Sequence, residues 1–305
     1  MIHPEPSRTT ASGERRLSGA IMLGVPIALI LVTFLFWYQT WFGRRLSNSE
    51  LRQYLQDTSI PHKTQHALTQ VATEILRHNQ AVVGVYPQVV ALAGNKEAGL
   101  RSMAAWVMGQ DNTSAEFHQA LLKLVSDADP MVRWNAALAL ARFGDAAGDT
   151  QLRQMLVPYE LRSPYAGTVT FSVKATDSVK SQSVVARVEG QGPEPEEIRS
   201  PLSGQVVRLP PSNGTTVAAG DLVAVISPDD QQLWEALQAL YLVGSSDDLE
   251  TIDHLARPTA GTSSRVREQA ALTEKAIRKR AAIPVEPSKV ESEKSKIESS
   301  KANSP

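Results

Sequence analysis

Two histidines in the first third of the chain have the spacing of metal ligands on a helix. His62 and His66 are four residues apart, so both fall on one helical face and could hold one metal ion. His78 falls on a different face of the same helix, and the sequence offers no evident third ligand. We therefore interpret these residues as solvated or helix-terminal histidines and predict no metal site.

Composition excludes several other chemistries. The 305 residues contain no cysteine, which excludes thiolate nucleophiles, disulfides and cysteine-based zinc or iron–sulfur sites. A formal net charge of −1 gives no global basic field for nucleic acid. We predict no catalytic residue, no cofactor, no nucleic-acid partner and no small-molecule substrate, and hence a protein that is not an enzyme.

Two further groups of residues suggest binding chemistry but have simpler interpretations. Aromatic residues at helical spacing could form a ligand box, although such residues more often pack in a core, which we predict for Trp106, Trp134 and Trp234. A short acidic loop could face a basic partner or a cation. We interpret it as a solvated turn containing Glu194, Glu196 and Glu197.

The sequence predicts a single transmembrane anchor at residues 17–43, after an N-terminal tail at 1–16. The stretch 17–36 is almost wholly apolar and, at about 1.5 Å per residue, could cross a hydrocarbon core of about 30 Å. Aromatic residues characteristic of a membrane interface follow at Trp37, Tyr38, Trp41 and Phe42. The alternative is a cleaved signal peptide, but the apolar run is longer than usual and no small-x-small cleavage pattern follows it.

The orientation of this anchor is not decided by charge. Three arginines precede the apolar run and three follow it. Because an arginine pair before the first apolar run is typical of signal anchors, we predict a single-pass protein of the cell membrane. Its bulk is expected on the outer, periplasmic side.

Helical periodicity runs through residues 46–158. The segments beginning at Arg101 and Arg133 place Arg and then Ala-Ala at the same offsets, 32 residues apart, which indicates a repeat. Asp129-Pro130 opens the second of these helices and Gly144 closes it, as expected for Pro at a helix start and Gly at a left-handed cap. This motif resembles the HEAT repeat, and the resemblance implies stacked helix pairs that bind protein partners.

A β-rich segment at 160–228 interrupts the helices and repeats internally. The motif at 162–169 returns at 199–206, and Ser163 and Ser200 each precede Pro in it, so we assign both a duplicated structural role. The second half, with Gly204 and Gly220 predicted at tight turns, resembles the barrel-sandwich hybrid of biotinyl/lipoyl domains and of membrane fusion proteins.

The β segment differs from these families at the residues on which their functions depend. A biotinyl or lipoyl carrier presents a lysine at the hairpin between its halves, whereas this hairpin has none, and Lys174 and Lys180 lie back in the first half. Membrane fusion proteins insert a long helical hairpin there, where this chain has only the short acidic loop. Zinc peptidases of the lysostaphin type have similar glycine–valine phrases, but no histidine lies between His118 and His254 to supply their ligands.

The β segment is predicted to be an insertion in the helical array. Gly144 and Gly244 close similar helices 100 residues apart, and removing the 68 residues from 161 to 228 leaves the period of 32. Residues 229–282 therefore continue the HEAT-like repeats, and the Lys-, Glu- and Ser-rich residues 283–305 are expected to be a disordered tail. The predicted fold class is α+β multidomain, with one transmembrane helix and a HEAT-like solenoid interrupted by a barrel-sandwich hybrid.

Together these features suggest a non-catalytic, membrane-anchored scaffold or adaptor that positions a partner membrane or exported protein, such as a transporter. The alternative is an accessory subunit of a membrane enzyme complex, respiratory or carrier-dependent, with the chemistry on another subunit. The sequence does not name the partner, so both hypotheses rest on fold resemblance.

Overall fold

The computed structural model describes residues 27–34, 45–258 and 262–282. The chain divides at Leu51 into two compact units. The first unit contains helix α1 at 27–34 and the start of α2 (Asn48–Gln56), and the second contains everything that follows. The predicted tails at 1–16 and 283–305 lie outside the described residues.

The predicted transmembrane anchor and the membrane localisation based on it are wrong. None of the described helices is long and apolar enough to span a membrane. Within the predicted segment the structure describes α1 at 27–34. The flanking residues 17–26 and 35–43, including the aromatic belt, are outside the described part of the chain.

Helices of the second unit form a row in which each member contacts the next. This inner row consists of α3 (Pro61–Leu76), α5 (Ala98–Met108), α7 (Pro130–Arg142), α9 (Asp230–Val243) and α11 (Ser264–Ala281). Shorter helices complete the pairs: α4 (Tyr86–Ala91), α6 (Ala115–Leu124), α8 (Asp149–Gln154) and α10 (Leu249–Ala256). The pair α8 and α9 is in contact although 75 residues separate the end of one from the start of the other.

Two capping residues explain where α7 begins and ends. The Asp129 carboxylate accepts hydrogen bonds from the backbone N–H groups of Met131 and Val132, which would otherwise lack partners in the first turn. At the other end Gly144 has φ +75°, the left-handed conformation predicted for it. Gly244 differs: its φ is −59°, and its N–H donates to the Leu240 carbonyl.

The β segment folds into two antiparallel four-stranded sheets. One has the order β1 (Tyr159–Arg162), β8 (Leu222–Pro228), β6 (Gly204–Arg208) and β3 (Ser178–Val179). The other has the order β5 (Glu196–Arg199), β4 (Val184–Glu189), β2 (Gly167–Phe171) and β7 (Thr216–Val217). Each sheet thus combines strands from both sequence halves, so neither half forms a complete sheet alone.

The core of the β segment is formed by apolar residues that alternate along the strands. Val169, Val188, Val206, Val223 and Ile226 have no solvent exposure. Gly204, predicted at a turn, instead lies at the start of β6, where an added Cβ would be 2.0 Å from the Ser227 carbonyl oxygen. Glycine is therefore required there by the close approach of β8.

Candidate functional site

Two arginines occupy equivalent positions in successive helix pairs, and each bonds backbone carbonyls that precede it in the chain. Arg101 on α5 donates from Nη1 to the carbonyls of Asn95 and Lys96, at 2.8 and 3.1 Å. Arg133 on α7 donates from Nη1 to the carbonyls six and five residues before it, both at 2.8 Å. The 32-residue offset found in the sequence therefore corresponds to a repeated set of hydrogen bonds.

Arg101 also joins its own helix pair to the next one. Its Nε and Nη2 donate to the two carboxylate oxygens of Asp127, at 2.7 and 2.8 Å. Only 15% of the arginine side chain and 12% of the aspartate side chain are exposed. The hydrogen bonds from Arg101 hold the pKa of Asp127 below its usual value, so the pair stays charged at neutral pH.

Small residues bring the helices of the row close together. A Cβ placed on Gly109, just after α5, would be 2.8 Å from the Ala139 Cβ of α7. A Cβ on Gly148, just before α8, would be 2.6 Å from both Cα and Cβ of Ala137. These contacts fix the spacing of the helices that carry the site described next.

The candidate site is an apolar groove of about 570 Å³ across α5, α7, α9 and α11, called the helix groove below. Its most exposed apolar members are Trp106 (40%), Tyr241 (45%), Leu242 (52%) and Leu272 (55%). The other lining residues are Asn135, Leu138, Ala139, Ala141, Arg142, Trp234, Glu235, Gln238, Ala239 and Gln269. A contiguous exposed apolar surface of this kind is typical of a protein-binding surface.

The helix groove is built from repeated positions. Trp106 and Leu138 are 32 residues apart, and Leu138 and Gln238 are 100 residues apart, which are the two offsets found in the sequence. The pairs Ala139 and Ala239, and Arg142 and Leu242, likewise differ by 100. The same face of α5, α7 and α9 thus contributes to the groove.

The three tryptophans that we predicted in the core have different environments. Trp134 is 2% exposed and packs edge-on against Tyr159 of β1, with ring centroids 5.7 Å apart, so that prediction is confirmed. The core prediction is wrong for Trp106, because this residue lines the helix groove. The half-buried Trp234 also lines the groove. A signal was present in α5, because the buried residues Leu100, Ala104 and Met108 define a face that excludes Trp106.

The remaining candidates occupy ordinary positions. His62 is exposed and His66 half-buried on α3, while His78 has φ +55° immediately after that helix ends. No group of three or more His, Asp or Glu side chains that could hold a metal ion lies in the part of the chain that the structure describes. In the acidic loop, Glu197 is part of β5 and pairs with Arg187 and Arg199.

Ser163 and Ser200 have matching hydrogen bonds. Each hydroxyl donates to the carbonyl two residues later, at 2.6 Å. Each backbone N–H also bonds the opposite sequence half: Ser163 donates to the Asp221 carbonyl and Ser200 to the Ser183 carbonyl, at 2.8 and 2.9 Å. The predicted duplicated structural role of these serines is confirmed.

A buried carboxylate pair lies beside α8 and α10. Arg153 is 3.0 Å from Asp149 Oδ2 and 3.1 Å from Asp248 Oδ1, and the Asp248 side chain has no solvent exposure. Burial, followed by the charge of Asp248, raises the pKa of Asp149 to about 6. One arginine thus faces two carboxylates, and sequence patterns gave no indication of this pair.

Comparisons with known proteins bear on the helical part of the chain. A family model of HEAT repeats matches residues 86–162, from α4 to β1. The HEAT-repeat prediction is confirmed over this stretch. HEAT repeats generally mediate protein–protein interaction, through the extended surfaces formed by stacked helix pairs.

Other comparisons are more limited. No curated protein matches the chain. Among solved structures, the urea carboxylase of Kluyveromyces lactis is similar at 31% sequence identity and a TM-score of 0.22. The match covers 23% of this chain and 6% of that protein, so this chain spans a small fraction of its length.

Proposed function

We propose that this protein is a non-catalytic scaffold that holds a segment of a partner protein in the helix groove. The observation that carries this proposal is the exposure of Trp106, Tyr241, Leu242 and Leu272 in one groove. Because these side chains are 40–55% exposed, each forgoes about half of the roughly 1.5–3 kcal/mol that full burial contributes, which a partner could recover. The HEAT-repeat match over part of the same row supports a protein partner.

The β segment is, on this proposal, a barrel-sandwich hybrid that serves as a structural module. Its support is the exchange of strands between the sequence halves and the matching bonds of Ser163 and Ser200. Its central hairpin, between Glu189 and Glu196, has no lysine for biotin or lipoate. A module of this kind positions neighbouring parts of an assembly without adding chemistry.

Site-specific photo-crosslinking tests the function. A benzophenone amino acid at position 242, in the helix groove, should crosslink a protein partner in cells. The matched control is position 207 in β6, because Leu242 and Val207 are 52% and 53% exposed. Equal crosslinking at both positions, or none at 242, would show that the groove is not the binding surface.

A groove variant completes the test. Trp106→Ala removes a large exposed side chain and should abolish the crosslink at position 242. Because 40% of Trp106 is exposed, the variant should lose about 1–2 kcal/mol of stability, less than the roughly 3–5 kcal/mol for a buried tryptophan, and a thermal melt checks that it is folded. A crosslink that survives in a folded Trp106→Ala protein would contradict the proposed function.

A further inference from the structure

We infer that the partner segment of the helix groove is an amphipathic helix bearing acidic residues beside its apolar face. This inference rests on the proposed function, because it specifies the partner of the same groove. It follows from the charges around the groove.

Three arginines at the helix groove have charges that no carboxylate balances. Arg142 donates to the Gly109 carbonyl at 3.2 Å, and Arg265 donates to Gln231 Oε1 at 3.2 Å. Arg280 donates to backbone carbonyls at the end of α9, including that of Tyr241. Within the described residues, none of these guanidinium groups forms an ion pair.

Most other arginines of the helical row and the β sheets are paired, which makes this cluster distinctive. Arg101, Arg153, Arg187, Arg199 and Arg278 each lie within ion-pair distance of an aspartate or glutamate. Glu235 is the one carboxylate among the residues that line the helix groove, and it accepts a hydrogen bond from Gln231. Of these charges only Arg142 and Glu235 line the groove, and they balance. The positive charge at its edge comes from Arg265, which lies over Trp234, and from Arg280, which bonds the Tyr241 carbonyl.

The position of Arg265 favours a carboxylate ligand. Its guanidinium carbon lies 3.9 Å from the centroid of the Trp234 ring, and Trp234 lines the groove. Stacking on the ring holds the planar guanidinium in place, and a guanidinium presents paired N–H donors that match the two oxygens of a carboxylate. The cation is therefore positioned before a ligand binds.

Apolar side chains on parallel helices favour a helical ligand. Trp106, Leu138, Leu242 and Leu272 come from four successive helices of the row, so the groove runs across the helix axes. An amphipathic helix presents apolar side chains at i, i+3, i+4 and i+7 along one stripe and can fill such a groove. Acidic residues flanking that stripe would meet Arg142 on one side and Arg265 on the other.

Peptide selection against the full-length protein tests this inference. A phage library of random 16-residue peptides should yield binders with large apolar residues at helical spacing and a net negative charge. Binding of a selected peptide, measured by fluorescence anisotropy, should weaken about five- to tenfold in Arg142→Gln/Arg265→Gln and fall with added salt. The Arg142→Lys/Arg265→Lys variant keeps both charges and should retain most of the affinity.

The outcomes separate this inference from the proposed function. Neutral or basic binders that require Leu242 would overturn the acidic ligand and leave the scaffold function standing. If no selected peptide loses its binding in Leu242→Ser, both this inference and the proposed function are contradicted. Two results would identify a different occupant and overturn the inference: a tenfold gain in affinity on removing residues 283–305, or a dimer in sedimentation that Leu242→Ser dissociates.

Discussion

Replacing Arg101 by alanine should destabilise the helical row by about 3 kcal/mol. The substitution removes four hydrogen bonds, two to Asp127 and one each to the carbonyls of Asn95 and Lys96. Removing one partner of a fully buried ion pair costs about 3–5 kcal/mol, because the other charge is left without compensation. The low end applies here, since both side chains retain some solvent contact.

A double-mutant cycle with Asp127→Asn isolates the ion pair. Asparagine suits this position, because Asn95 occupies it in the preceding helix pair and accepts a bond from the Glu97 N–H as Asp127 does from the Asp129 N–H. With Asp127→Asn present, Arg101→Ala should cost about 1.5 kcal/mol less, as no charge is then left unpaired. Urea unfolding followed by circular dichroism measures each free energy.

Acid dependence gives an independent check of the same pair. Because the folded-state pKa of Asp127 is lowered, its stabilisation is complete above the unfolded pKa near 3.8 and is lost as pH falls through the folded value. Arg101→Ala should therefore reduce the loss of stability below pH 4. If the two substitutions are additive within about 0.4 kcal/mol, the ion pair does not join the helix pairs and the argument is refuted.

Three further changes have distinct expected results. Gly148→Ala should cost about 1–3 kcal/mol of stability by forcing α8 away from α7. The control Gly99→Ala, with open space around it, should stabilise α5 by about 0.5 kcal/mol, and thermal melts of both variants measure the two effects. Because the folded pKa of Asp149 is raised to about 6, stability should fall as pH rises from about 4 to 6. Asp149→Asn should abolish this slope and gain about 1 kcal/mol at pH 7, and an unchanged slope would contradict the prediction. Deleting residues 159–228 should preserve the helical dichroism signal, because α8 and α9 already contact each other, and its collapse would show that the helices depend on the β sheets.

Periodic features of the fold could be predicted from the sequence. The 32-residue offset of Arg101 and Arg133 expresses a repeated set of hydrogen bonds, which short-range patterns encode. The 100-residue offset aligned α7 with α9, although Gly144 and Gly244 themselves have different φ angles. The duplicated serines of the β segment were recognisable for the same reason. Hydropathy alone, by contrast, led to the wrong prediction of a membrane span, since none of the described helices is long and apolar enough to cross a membrane.

The helix groove could not be predicted, because it depends on which residues other parts of the chain cover. Trp134 and Trp234 hold equivalent positions, 100 residues apart, on neighbouring helices of the row. Tyr159, the first residue of the β segment, packs against Trp134 and buries it. Trp234 has instead the Arg265 guanidinium over its ring, which leaves a polar, charged edge on the groove.

The β insertion contributes none of the residues that line the helix groove. It enters between α8 and α9, two helices that remain in contact, so the row continues across the insertion. Its first residue, Tyr159, packs against Trp134, whereas the residues of the helix groove lie on α5, α7, α9 and α11. A repeat array would present the same face at every pair. Covering Trp134 and placing Arg265 over its equivalent, Trp234, makes two repeated positions chemically different, and selective binding of one partner requires such differences.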